Sequence, residues 1–174
     1  MDRDSFDRLM VEHLSAAHRL AIRLCGDRDR AEELVQEAML RASRSWSGFR
    51  GQSKFTTWLF QIVINVFRDQ LRKKGADEAI GEDHVDARSI EPRDVVSERE
   101  LGERVAQCVS TLPPRQREVL VLIAFEQMPI AQVAMLLAIS EQNVRTNLHL
   151  ARQVLKKRLA NYLGEERCES ERSK

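Results

Sequence analysis

The stretch Ile130–Tyr162 reads IAQVAMLLAISEQNVRTNLHLARQVLKKRLANY, and its pattern changes once, in the middle. Ile130, Val133, Ala134 and Leu137 recur at helical spacing and predict a short helix. Ala138-Ile139 reads as a tight turn and Ser140 as the N-cap of a second helix. From there Val144, Leu148, Ala151, Leu155, Leu159 and Tyr162 make an unbroken apolar stripe down one side of that long helix. A short helix, a turn of about three residues and a capped second helix spell a helix-turn-helix. The opposite side carries Gln142, Asn143, Arg145, Thr146, His149, Arg152, Gln153 and Lys156. Such residues read base edges and hold phosphates. The plainer alternative is a helical hairpin with a polar outside; the cap, the small Ala134 and the basic face favour DNA.

Upstream of this corner, Thr111-Leu112-Pro113-Pro114 restarts the chain, because proline is tolerated in a first helical turn. A helix is expected from about Arg115 to Phe125, burying Val119, Leu120, Leu122 and Ile123, and another from about Val96 to Ser110. Residues 76–95 have no helical period, many acids and the pair Glu91-Pro92, and read as a flexible linker. Before them, three amphipathic helices are expected. The first spans about Asp4 to Leu24 and stops at Gly26. The second, from about Asp29 to Trp46, is capped by Asp27. The third, from about Lys54 to Lys74, is apolar around more than half its girth, which suits the centre of a bundle, and Gly75 is expected to end it.

The chain of 174 residues has only 7 Gly, 4 Pro and 5% aromatics, which excludes collagen-like and low-complexity classes and argues against a β-sandwich or barrel. The expected fold class is all-α: an N-terminal helical bundle over 1–75, an acidic linker over 76–95, a helix-turn-helix domain over 96–163 and a charged tail over 164–174. No apolar run reaches the ~18–20 residues that span a bilayer, and the opening MDRDSFDR is charged where a signal peptide is apolar. The expected compartment is the cytoplasm, with no membrane insertion. Cys25, Cys108 and Cys168 form neither a disulfide framework nor a zinc spacing, and no Glu-x-x-His pair exists, so no metal or cofactor is expected.

The net charge of +1 hides segregation. Between Asp77 and Glu103 ten acids face three arginines, whereas Gln61–Lys74 and Glu141–Arg158 are each strongly basic. Two basic helices flank an acidic connector.

Four blocks, AEELVQEAMLRASRSW (31–46), FRGQSKFTTWLFQIVINVFRDQLRKK (49–74), LPPRQREVLVL (112–122) and ISEQNVRTNLHLARQVLKKRL (139–159), carry a resemblance over about residues 4–163. In this order and at these separations they resemble the bacterial extracytoplasmic-function (ECF) sigma factors, the compact kind with only regions 2 and 4. The resemblance implies a dissociable promoter-specificity subunit of RNA polymerase with no catalytic site of its own. It implies docking on the β′ clamp helices of core polymerase, with contacts to the β subunit besides, through Glu33, Leu34, Gln36, Glu37 and Arg41. It assigns capture of the melted minus-ten strand to Phe49, Arg50, Gln52, Ser53 and Lys54 of the loop and Asn65, Arg68, Asp69, Arg72 and Lys73 of the next helix. Trp58 sits nearby, on a helical position that favours the core over base stacking. For the minus-thirty-five duplex it assigns Asn143, Arg145, Thr146, Asn147 and His149, with Arg152 and Lys156 on phosphates. An anti-sigma factor is the implied regulator.

Three departures from the family pattern stand out. Glu33 replaces a common Asp, Ala138 replaces the usual turn glycine, and Leu150 replaces a common basic residue. The competing readings are a sigma-like decoy that binds an anti-sigma factor but no promoter, and a stand-alone helix-turn-helix regulator. The decoy would have no use for Arg145, Arg152 and Lys156, and an enzyme would need a nucleophile–base pair or phosphate loop that the chain lacks.

Overall fold

The Asp27 carboxylate accepts a 2.9 Å hydrogen bond from the Arg30 backbone N–H, forming the N-cap its sequence position predicts. Gly26, one residue earlier, turns the chain at φ +70°. These two residues separate α1 (Arg3–Cys25) from α2 (Arg28–Ser45). The computed structural model describes the backbone of residues 3–78 and 105–172, with side chains at 3–73 and 105–160. Every regular element among them is helical.

A short 3-10 turn, Trp46–Gly48, leads from α2 through an open loop into α3 (Phe55–Glu78). Helices α1, α2 and α3 pack on one another. Their shared interior holds Leu20, Leu24, Leu34, Leu59, Val63, Ile64 and Phe67, each 1% exposed or less. Burying a side chain of that size contributes roughly 1.5–3 kcal/mol. At one end Trp46, Phe49, Phe55 and Trp58 form an aromatic cluster, with the Phe49 ring stacked on Trp46 at 5.5 Å. Trp58 is half-buried in that cluster.

Gly75 does not end α3, which runs on to Glu78. One glycine inside a helix costs only about 1 kcal/mol relative to alanine, so the flanking turns carry it through. The first three residues expected in the linker are therefore helical, and the rest of it, with the start of the following helix, lies outside the described residues.

Residues 105–110 are helical and are called α4. After Leu112 and Pro113, α5 (Pro114–Leu120) starts with proline in its first turn, where no backbone donor is needed. The spacing predicts a single helix to Phe125, but Val121–Phe125 is a π-helical turn. Its wider winding is closed by the Glu126 N–H donating to Val121 O at 3.1 Å, and Gln127 then adopts φ +53°. Helices α6 (Ile130–Leu137) and α7 (Glu141–Arg172) complete the chain. Residues 164–172, expected from sequence to be a tail, continue α7.

The turn between α6 and α7 works without glycine. Ala138 takes the left-handed conformation, φ +53° and ψ +50°, and its N–H donates back to the carbonyls of Ala134 and Met135. Ser140 then caps α7, its Oγ accepting from the Asn143 N–H at 3.2 Å. Val133, Leu137, Val144, Leu148 and Ala151 meet beneath this corner.

The interiors of the two halves are continuous: the buried apolar side chains form one cluster running from α1 to α7. The π turn lies on α1, and α6 lies against α3.

Candidate nucleic-acid interface

On α2, Glu33 and Gln36 are exposed and Glu37 half-exposed, so a mixed patch does form. Leu34 is a correction: expected on that patch, it is fully buried among the bundle helices. Its place one residue after Glu33 turns it by about 100° to the inner stripe. The apolar member of the patch is Leu40, 53% exposed and one turn beyond Gln36. Counting four residues on from Gln36 finds it. Arg41 closes the patch by donating Nε to Glu37 at 2.7 Å, while its Nη1 reaches Asp69 on α3 at 2.5 Å.

Asp69 also receives Arg72. Hydrogen bonds from Arg41, then from Arg72, hold its carboxyl below the usual carboxylate range. The Arg41 guanidinium is correspondingly held in its charged form, first by Asp69 and then by Glu37. Asp69 thus ties α2 to α3 and orients two arginines.

In the loop, Arg50, Gln52, Ser53 and Lys54 are exposed, and Gly51 at φ +68° gives the backbone its turn. The Phe49 ring is half-buried and stacked on Trp46, so it anchors the loop to the bundle. On α3, Asn65 is exposed and accepts from Gln61 Nε2 at 3.3 Å, and Arg72 and Lys73 are exposed.

Arg68 is the exception on this face. Its Nε and Nη2 each donate to Glu118 of α5 at 2.8 Å, one to either carboxylate oxygen. Glu118 is 1% exposed and also accepts from Arg115 Nη1 at 3.2 Å. The hydrogen bond to Glu118 keeps Arg68 charged against the opposing effect of burial. A cleft of about 820 Å³ opens here, walled by Arg41, Arg68 and Arg72 on one side and by Pro114, Arg115 and Glu118 on the other.

Sequence reasoning missed Glu118. A signal is present: three and four residues on stand Val121 and Leu122, both buried, which puts Glu118 on the inner side of its helix. A carboxylate there requires paired donors.

Along α7, Asn143, Arg145, Thr146, His149, Arg152 and Lys156 are exposed and Asn147 is half-exposed. Three of these side chains are held by groups one turn away on the same helix. Arg145 Nη2 donates to Glu141 at 2.9 Å, Asn147 Nδ2 donates to the Asn143 carbonyl at 2.8 Å, and Gln153 Nε2 lies 3.0 Å from His149 Nε2. Leu150 is 40% exposed on this surface.

Comparison with known proteins gives a consistent picture. The sequence family Sigma-70 region 2 matches residues 9–76, and Sigma-70, region 4 matches residues 102–155. The chain is 32% identical over 165 residues to the ECF RNA polymerase sigma factor SigE of Mycolicibacterium smegmatis, covering 92% of this chain and 64% of that one. It is 30% identical over 169 residues to the ECF RNA polymerase sigma factor SigW of Bacillus subtilis, covering 91% and 90%. Among solved structures it is similar to the sigma factor RpoE in complex with the anti-sigma factor NepR from Bartonella quintana, at TM-score 0.77 and 25% identity, over 90% of this chain and 97% of that one. The fold is also that of CnrH in complex with the cytosolic domain of CnrY, at TM-score 0.66 and 23% identity, over 92% and 90%.

Proposed function

This chain belongs to the extracytoplasmic-function family of RNA polymerase sigma factors, and from that premise we propose how its surfaces divide the work of promoter recognition. The observation that carries the reading is the order of the two matched regions, each ending in an exposed basic helix face. Glu33, Gln36, Glu37 and Arg41, with Leu40 in place of Leu34, dock on the β′ clamp helices of core polymerase, where an acidic and apolar patch suits a basic, partly apolar partner.

The loop residues Arg50, Gln52, Ser53 and Lys54, seated by Phe49, take the unpaired minus-ten strand together with Asn65, Arg68, Arg72 and Lys73, while Asp69 orients its neighbours. Unstacked bases need cations and donors of this kind. Helix α7 enters the major groove at the minus-thirty-five element, with Asn143, Arg145, Thr146, Asn147 and His149 toward bases and Arg152 and Lys156 toward phosphates. Region 2 would then occupy 1–75 and region 4 96–163, joined by the acidic stretch 76–95 that lets both engage at once.

Polymerisation stays with the core enzyme, and the protein acts in the cytoplasm, where core polymerase and promoters are. No helix among the described residues is long and apolar enough to cross a membrane. The likeness to RpoE held by NepR supports control by an anti-sigma factor.

Transcription from a library of promoter fragments by sigma-free core polymerase, with and without this protein, tests the reading. Transcripts starting at a shared two-part motif only when it is present are expected. Core binding without transcripts would point to an inactive or inhibited sigma factor, and neither transcripts nor core binding would favour the decoy. Sequence-specific DNA binding without core binding would favour a stand-alone regulator.

A further inference from the structure

Between Glu141 and Ala160, helix α7 carries five cationic side chains and a single acid, and that acid is its first residue. The cations differ in what they hold. Arg145 Nη2 donates to Glu141 Oε2 at 2.9 Å, whereas among the described residues neither Arg152 nor Lys156 has a carboxylate partner. Ser140 fixes where the acid sits: its Oγ accepts the Asn143 N–H at 3.2 Å and closes the first turn, which sets Glu141 one turn before Arg145 on the same flank. That flank faces outward. The Glu141 and Arg145 side chains are 48% and 54% exposed, with Val144 and Leu148 buried beneath them.

An acid at the end of a helix that enters a groove is repelled by the phosphates on either side. Its charge alone weakens binding to every duplex alike. Its effect on Arg145, by contrast, depends on sequence. A guanidinium paired with a carboxylate loses much of its net attraction for a phosphate, because that attraction acts through charge. Its hydrogen-bond donors keep their direction. Nη2 has a second hydrogen and Nη1 two more, so a parallel pair stays free for the O6 and N7 of a guanine. The contact also holds in place a long side chain that would otherwise lose rotamer freedom on docking. Arg152 and Lys156, without such a partner, keep their full attraction for the backbone.

We infer that Glu141 is a positioning residue for specificity: it orients Arg145 and offsets its charge, so that this arginine reads a guanine edge while the unpaired Arg152 and Lys156 hold phosphates. That the duplex is a minus-thirty-five element rests on the sigma-factor reading. The division between paired and unpaired cations rests only on the contacts along α7. An acid in a first turn also suits the positive end of the helix dipole. That role alone would alter the stability of α7 and leave its base preference untouched.

Two measurements test this. In the first, the chain assembled with core polymerase selects duplexes from a promoter library randomised over the minus-thirty-five region, and sequencing gives the base preference at each position. Arg145→Ala is expected to lose about fivefold or more of the preference for guanine at one position, which marks what Arg145 reads. Glu141→Ala is expected to lose about threefold at that same position and nothing elsewhere, the scale of coupling between residues in contact. Glu141→Gln keeps an acceptor for Arg145 and should retain most of the preference. In the second, the full-length chain alone is titrated with a random-sequence duplex at several salt concentrations. Glu141→Ala should bind it more tightly, with a slope of log affinity against log salt steeper by about 0.9 as Arg145 takes up a phosphate. An unchanged preference at the Arg145 position would overturn the inference, and so would an equal loss at every position, the mark of a weakened helix. A wild-type polymerase complex that selects no sequence would count against the sigma-factor reading instead. The salt slope then decides the part played by Glu141, and an unchanged slope overturns it.

Discussion

Helix α7 and the outer face of α3 carry similar side chains, yet they are held in different ways. On α7 the partners of Arg145, Asn147 and His149 lie one turn away on the same helix, at exposed positions. Exposed pairs of that kind are worth a few tenths of a kcal/mol and yield readily to a phosphate or a base. On α3, Arg68 is bound to a buried carboxylate fifty residues away, and Asp69 is bound to α2 twenty-eight residues back. The first surface is ready as folded, whereas the second depends on how the two halves of the chain meet. A binding face is thus described incompletely by its residue types; the partners they already hold set how freely they can exchange.

The strongest challenge to this contrast is Phe67→Ala. Phe67 is 1% exposed and lies beneath Arg117 at the seam. Removing such a ring costs about 3–5 kcal/mol. Because the interior is continuous, calorimetry is expected to show one transition shifted as a whole; two transitions, with only one displaced, would mean that the halves are energetically separate. Next in size is Arg145→Ala, which should cost about 1–3 kcal/mol on a duplex bearing the minus-thirty-five element relative to a scrambled duplex, if its guanidinium meets a base. The radius of gyration should not change, since its partner Glu141 lies on the same helix. An equal loss on both duplexes would move Arg145 to the phosphates. The smallest effect is expected from Ala138→Gly. Relieving the left-handed backbone there should stabilise the protein by about 1 kcal/mol in chemical denaturation, offset partly by the greater freedom of glycine in the unfolded chain. A loss of stability would show that the alanine is not strained.

Much of this is legible in the residues. Asp27 and Ser140 cap the helices they precede, and the stripe through Val144, Leu148 and Ala151 is the buried side of α7. Such signals act within a turn or two of chain, so spacing alone reveals them. The residues that spacing misplaces share a different cause. Leu34 stands among patch residues in sequence, although its side of the helix faces inward. Phe49 stands in a loop, and only the position of Trp46 shows that its ring is an anchor rather than a free contact. The π turn gives no periodic signal because a single widened turn barely disturbs an apolar run.

Helix positions, caps, the helix-turn-helix and the segregation of its charges follow from the order of residues, because each depends on contacts between near neighbours in the chain. The pairing of Arg68 with Glu118, of Arg23 with Glu126 and of Arg117 with the Leu24 carbonyl spans 50, 103 and 93 positions. Many acids and bases in this chain are equally suited to one another by charge. Which of them meet is set by the joined apolar interior, which lays α1 on the π turn and α3 on α6 and so brings these few groups within reach of one another.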